Sequence, residues 1–146
     1  MLEQLISKAK DPYTFEGAKG RFEAARLGAR LACIRVEGEC DDNFAEPFDE
    51  AVDKILGEGG EVFVDARGLE KFSGGFRDAT VKAFWRRRDR FYKIHALYRA
   101  QAVGMALLTG RMVMGKQLKS YNQVDAWLDA LDSARIKERF AGMDLG

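Results

Sequence analysis

The sequence predicts an α/β domain: a mixed, mostly parallel β-sheet with helices mainly on one face, in the order β-β-α-β-α-β-α-β-α. Three observations carry this. Residues 21–27 and 30–37 form two apolar-rich runs flanking Leu27-Gly28-Ala29, as a hairpin would. Beyond them, short β-branched and aromatic runs alternate with longer segments whose apolar residues recur every three or four positions. Such alternation is the signature of β-α-β units and a largely parallel sheet. No internal repeat, low-complexity tract or linker interrupts the pattern.

The elements follow in order. Leu2, Leu5, Ile6 and Ala9 have helical spacing, and Asp11-Pro12 stops them, so residues 1–12 read as an N-terminal helical appendage and 13–146 as one domain. After the hairpin, Phe44, Phe48, Val52 and Ile55 mark one face of a helix. Asn43 and Glu46 have capping-box spacing, with Pro47 in the first turn, and "GEGG" at 57–60 is the stop. "EVFVDA" reads as a buried strand ending at Asp65-Ala66. Phe76, Ala79, Ala83, Phe84, Arg87 and Phe91 then place one face on a second helix. "KIHALYRA" is the next strand. Residues 102–113 are apolar nearly all round, which suits a buried or interface helix. "KQLKSY" has the polar alternation of an edge strand, and Asn122 caps a last helix facing inward through Val124, Trp127, Leu128 and Leu131.

Composition narrows the function. The 146-residue chain is 47% hydrophobic, enough for a single core. Its 24 basic and 23 acidic side chains nearly cancel, so no global field draws nucleic acid or an anionic membrane, and a charge-driven partner would need a local patch. Cys33 and Cys40 have neither zinc-pair nor dithiol spacing and read as free, structural thiols. No apolar run reaches the ~20 residues of a membrane span, and the N-terminus lacks a signal-peptide pattern. A reducing, cytoplasmic setting is the expectation.

Four segments carry candidate chemistry. "GRMVMGKQ" at 110–117 has the glycine and lysine spacing of a phosphate-binding loop, but Gln117 replaces the hydroxyl, and the required strand before and helix after are missing; Gly115 reads better as a helix stop. "WRRRDRFYK" at 85–93 interleaves cations with rings, as single-strand nucleic-acid binders do, yet on a helix the run spreads around the axis, so nucleic acid is not expected as a partner. His95 is the sole histidine, which rules out a multi-histidine metal centre. In its strand it falls on the face opposite Ile94 and Ala96. Glu39, Asp41, Asp42 and Asp65 sit at strand ends, where an α/β sheet binds ligands, but also where turn formers and caps belong. An enzyme would use Asp41, Asp42, Asp65 or His95 at that crevice. No complete catalytic set, metal site or cofactor motif is present.

"RLACIRVEGECDD" leading into a helix, "EVFVDARGLEKFSGGF" as strand, loop and helix start, and "GKQLKSYNQVDAWLDAL" as last strand and helix together resemble the STAS domain. That domain occurs in sulfate transporters and anti-sigma-factor antagonists, and the likeness extends to looser bacterial relatives described as STAS-like or SEC14-like. The resemblance covers residues 21–131 and implies a regulatory, protein-binding domain that is not an enzyme. In anti-sigma-factor antagonists the loop reads approximately Asp-Ser-[Ser or Thr]-Gly-Leu, with the second hydroxyl phosphorylated by a partner kinase. Here Phe72-Ser73-Gly74-Gly75-Phe76 stands there, with Gly74 at the phosphorylated position and Ser73 one place early.

The resemblance makes Leu69, Phe72, Ser73, Gly74, Gly75 and Phe76 the partner-binding surface and Ser73 the regulatory phosphosite. Helix-start chemistry offers two roles for Ser73: an N-cap, or a phosphate held by free N–H groups. The partner is a protein. Homodimerisation through "VGMALL" at 103–108 is a further expectation. The alternative is a carrier or sensor of a small, lipid-like apolar ligand, with Phe44, Phe48, Phe72, Phe76, Phe84, Met105, Met112 and Met114 lining a pocket.

Overall fold

The computed structural model describes residues 2–57 and 59–141. Its elements are α1 (Leu2–Lys8), β1 (Tyr13–Glu16), β2 (Gly20–Gly28), β3 (Leu31–Cys40), α2 (Ala45–Ile55), β4 (Gly60–Phe72), α3 (Gly74–Trp85), β5 (Phe91–Tyr98), α4 (Gln101–Met114), β6 (Leu118–Tyr121) and α5 (Val124–Ala141). Strand order in the six-stranded sheet equals chain order. The β1-β2-β3 ribbon is antiparallel, and β3, β4, β5 and β6 run parallel. Because the parallel half advances in one direction and such crossovers share one hand, α2, α3 and α4 fall on the same face. There Phe48, Val52, Phe76, Phe84 and Val103 join Ile34, Val62 and Ile94 of the sheet in the larger core. α1 and α5 cover the other face, where Leu2, Ile6, Trp127 and Leu131 pack on Cys33, Phe63 and Leu97. The predicted α/β class stands, with three helices on one face and two on the other.

Alternation assigns each strand residue its side. In β5, Ile94 and Ala96 enter the larger core, while His95 and Leu97 enter the smaller one. Phe22, Phe44, Phe48 and Phe76 meet largely edge to face in the larger core, with centroids 5.6–6.3 Å apart.

Several local expectations are corrected. β1 was not foreseen; it adds to the sheet by pairing Tyr13–Glu16 with β2. α2 does not start at an Asn43–Glu46 capping box: a 3₁₀ turn at Asp42–Phe44 precedes it, with the Asp41 carboxylate accepting the Asn43 N–H at 3.0 Å. β4 does not stop after Asp65 but runs to Phe72, because its second half keeps pairing with β3 across register shifts. α3 ends at Trp85, so Phe91 is not on its face and opens β5 after a turn at Arg88–Arg90. α5 begins at Val124, with the Trp127 N–H donated to the Gln123 carbonyl, which leaves Asn122 outside the cap.

The basic run at 85–93 holds α2 to α3. Arg87 forks onto Asp49 at 2.8 and 3.2 Å, Arg90 reaches Asp53 at 2.8 Å, and Arg88 lies over the Trp85 ring. Arg26 and Arg90 both donate to the Leu56 carbonyl beyond the end of α2. Gly110 lies inside α4 against Leu118, and Gly115, at φ 66°, ends that helix, so "GRMVMGKQ" forms no phosphate loop.

Candidate functional site

The segment after β4 is built by main-chain bonds first. The Ser73 N–H donates to the Cys40 carbonyl at 3.0 Å, which ties the end of β4 to the end of β3. Ser73 is extended (φ −78°, ψ 159°), and its Oγ accepts the Phe76 N–H at 3.0 Å, so it is the N-cap of α3. The same hydroxyl donates to Asp42 Oδ1 at 2.5 Å. Ser73 is thus fixed from both sides: as acceptor for the helix, as donor to the turn before α2.

The expected contact residues split into two groups. Leu69 and Phe76 are buried and face the larger core. Phe72 and Ser73 are half-buried, and Gly74 and Gly75 are exposed. Only the latter four offer surface. The two glycines differ. A Cβ on Gly75 would run into the Asp42 carboxylate, whereas one on Gly74 would meet nothing nearer than Arg77 at 3.9 Å. Gly75→Ala is therefore expected to push the exposed Asp42 carboxylate off Ser73 and lose ~0.5–1.5 kcal/mol with that bond, and Gly74→Ala to stay within about 0.5 kcal/mol of the parent. Thermal melts of the two variants, with Gly74→Ala as the more stable, check this.

Behind this segment lies an apolar cavity of about 120 Å³ between the sheet, α3 and α4. Val36, Ala66, Ile94 and Leu118 lie on the sheet side; Phe76, Phe84, Leu107 and Met114 line it from the helices. Phe48, Phe72, Phe76, Phe84 and Met114 of the expected pocket set are in its wall. Phe44 belongs to the aromatic core outside it, and Met105 and Met112, 61% and 83% exposed, point to solvent. Sequence reasoning missed Arg77 and Thr80 on α3, which bring its only polar side chains among the described residues.

The acidic crevice does not assemble. Asp41 and Asp42 serve the turns as described, and Glu39 pairs with Lys19 and Lys71. Asp65 lies mid-strand opposite Arg35, seven residues before Phe72 and so roughly 23 Å from it along an extended strand at about 3.3 Å per residue. Its carboxylate forks onto Arg67 Nε and Nη2 at 3.0 and 2.8 Å, which raises the Arg67 pKa. Among the described residues, no group of three His, Cys, Asp or Glu side chains is placed to hold a metal ion. No helix among them is long and apolar enough to cross a membrane.

His95 is buried on the opposite face, stacked on Phe63 with centroids 4.3 Å apart. Its Nδ1 lies 2.8 Å from the Tyr121 hydroxyl and its Nε2 2.9 Å from Glu61 Oε1. With the proton on Nε2, His95 donates to Glu61 and accepts from Tyr121, so one tautomer satisfies all three groups. That bond holds the Glu61 pKa below its ordinary 4.5, against the upward pull of burial. Glu61 therefore contributes stability above the unfolded-state pKa and loses it as pH falls through the lower folded value. Urea midpoints measured below pH ~4.5 should fall less for Glu61→Gln than for the parent; parallel curves would contradict the linkage.

Cys33 and Cys40 are buried and free, and burial pushes both thiols up to about 12. Both should resist iodoacetamide at mildly alkaline pH until denaturant is added, as mass spectrometry would show.

No protein-family model matches the chain, and no curated protein matches it. Among solved structures, it is similar to an uncharacterized protein of the DUF3478 family from Shewanella loihica with a SpoIIAA-like fold, at 11% identity and a TM-score of 0.53, over 83% of this chain and 92% of that one. It is equally similar to an anti-sigma factor antagonist from Mycobacterium paratuberculosis, at 13% identity and a TM-score of 0.53, over 86% and 93% of the two chains. With its mixed sheet in chain order and α2, α3 and α4 on one face, the chain has a STAS-like fold.

Proposed function

We propose that the chain is a non-enzymatic regulatory domain that binds a partner protein through the exposed start of α3. The observation that carries this reading is the surface at Phe72, Ser73, Gly74 and Gly75. The capped start of α3 is exposed at its first two residues, and the open space beside Gly74 leaves room for contact with a partner. Leu69 and Phe76 support that surface from within. The likeness to a solved anti-sigma factor antagonist is consistent with a protein partner, and two free, buried thiols are consistent with a cytoplasmic setting.

In this reading Ser73 is the hydroxyl a kinase would modify. A phosphoryl group there would end the Ser73–Asp42 bond and set a second negative charge beside the Asp42 carboxylate, loosening the α2 and α3 starts together.

A photoreactive phenylalanine analogue at position 74, compared with one at the exposed Asp132 of α5, tests the surface in cells. We expect a discrete cross-linked protein from position 74 only; equal capture from both positions, or none from either, counts against it. Homodimerisation through α4 belongs to the same reading, since Met105, Leu108 and Met112 form an exposed apolar stripe at helical spacing. Light scattering should give a dimer mass that Met112→Lys reduces to a monomer, and a monomeric parent removes the idea.

A second reading, a receptor for a small apolar ligand, is favoured by the cavity between α3 and α4.

A further inference from the structure

Size, lining and charge narrow what the cavity would take. Its volume of about 120 Å³ is close to the ~150 Å³ of an engineered apolar cavity that stays dry and binds benzene. One ring or a short aliphatic group matches that volume. The walls are side chains such as Phe72, Phe84, Leu107 and Met114, and no carboxylate is among them. The two polar side chains, Arg77 and Thr80, lie one turn apart on α3. The Thr80 hydroxyl is spent on the Arg77 carbonyl at 2.7 Å, so it makes no demand on a ligand. Arg77 keeps Nε on Asp78 Oδ1 at 3.3 Å, and its two terminal nitrogens have no partner among the described residues. Arg77 thus lines the apolar space with a side chain 44% exposed and with donors to spare, which matches an anion attached to an apolar body.

We propose that the cavity binds a compact apolar carboxylic acid, with a single ring or an aliphatic group of similar size between α3 and α4 and the carboxylate against Arg77. This rests on the receptor reading above and adds the head group, the size limit and the residue that selects them. A guanidinium fork can meet a carboxylate with two parallel N–H···O bonds. The apolar body contributes affinity through the area it buries, and Arg77 contributes discrimination between head groups.

Three isosteric probes separate these roles: phenylacetate, 2-phenylethanol and 2-phenylethylamine, titrated into protein carrying ¹³C-labelled methyls at Val103, Leu107 and Leu118. We expect phenylacetate to bind about tenfold more tightly than the alcohol, the value of one charge-assisted contact, and the amine most weakly. Arg77→Gln should remove the acid's advantage and leave the alcohol unchanged. Ala106→Phe, which fills the space, should abolish binding of all three, and Leu107→Phe serves if the first filler fails to fold. Equal binding of acid and alcohol to the parent overturns the head-group assignment while the receptor reading survives. Methyl signals that move with none of the probes overturn both, and shifts that persist in a folded filler variant place the binding elsewhere and overturn the proposal.

Discussion

Trp127→Ala is expected to lower the unfolding free energy by ~3–5 kcal/mol, the range for truncating a buried aromatic residue. Trp127 is fully buried and is the anchor of α5. Its ring meets Phe63 edge-on, with centroids 5.8 Å apart at 74°, and Phe63 in turn stacks on His95. Its Nε1–H donates to the His95 carbonyl at 3.0 Å. Truncation would therefore open a void between α5 and the sheet and leave a buried acceptor without its partner. Most domains have ~5–15 kcal/mol in total, so the variant should be marginal or unfolded at 37 °C. Urea unfolding followed by far-UV circular dichroism measures the loss. Trp127→Phe separates its two parts: the ring is largely retained and only the N–H is lost, for an expected ~1–2 kcal/mol. A loss below about 1 kcal/mol in the alanine variant would mean that α5 does not pack as described.

What the sequence made legible was what short-range periodicity encodes. The stripe Phe48, Val52 and Ile55 could only be one side of a helix, and it is buried as expected. Strand alternation put His95 on the face away from Ile94 and Ala96. Ser73 was recognisable as a cap because a hydroxyl before two glycines and an apolar run is a local signal. What escaped was fixed by pairing between distant segments. Tyr13–Glu16 has too few residues for a pattern of its own and is a strand because β2 offers it an edge. In β4, Asp65 and Gly68 look like turn residues, yet β3 holds them extended, and the Asp65–Arg67 fork forms because residues two apart share a strand face. The Ser73–Asp42 bond joins residues 31 apart, and the cavity depends on how far α3 stands from α4. Phe48, Phe72, Phe76, Phe84 and Met114 could be read as pocket residues, but the space between them, beside the small residues Ala106 and Gly110 of α4, could not.

Phe76→Ala is expected to cost a further ~3–5 kcal/mol in its own right, and the reason decides how the candidate surface should be probed. Phe76 is 2% exposed. Its ring meets Phe44 and Phe48 edge-on at 5.9 and 5.6 Å, bridging α3 to the start of α2, and its N–H is the one that Ser73 caps. The side chain is thus a core wedge whose main chain belongs to the surface. A variant that loses a partner through this truncation would lose it through instability, so position 74, not 76, is the place to test contact. Phe76→Leu refills part of the volume and should cost clearly less than Phe76→Ala. Because the ring also lines the cavity, its removal enlarges that space, and a small aromatic ligand such as phenylacetate should raise the melting temperature of Phe76→Ala more than that of the parent. Chemical denaturation of the ligand-free variants measures the first effect and melting with and without phenylacetate the second. An alanine variant within a few tenths of a kcal/mol of the parent would show that this ring does not hold α3 to the core.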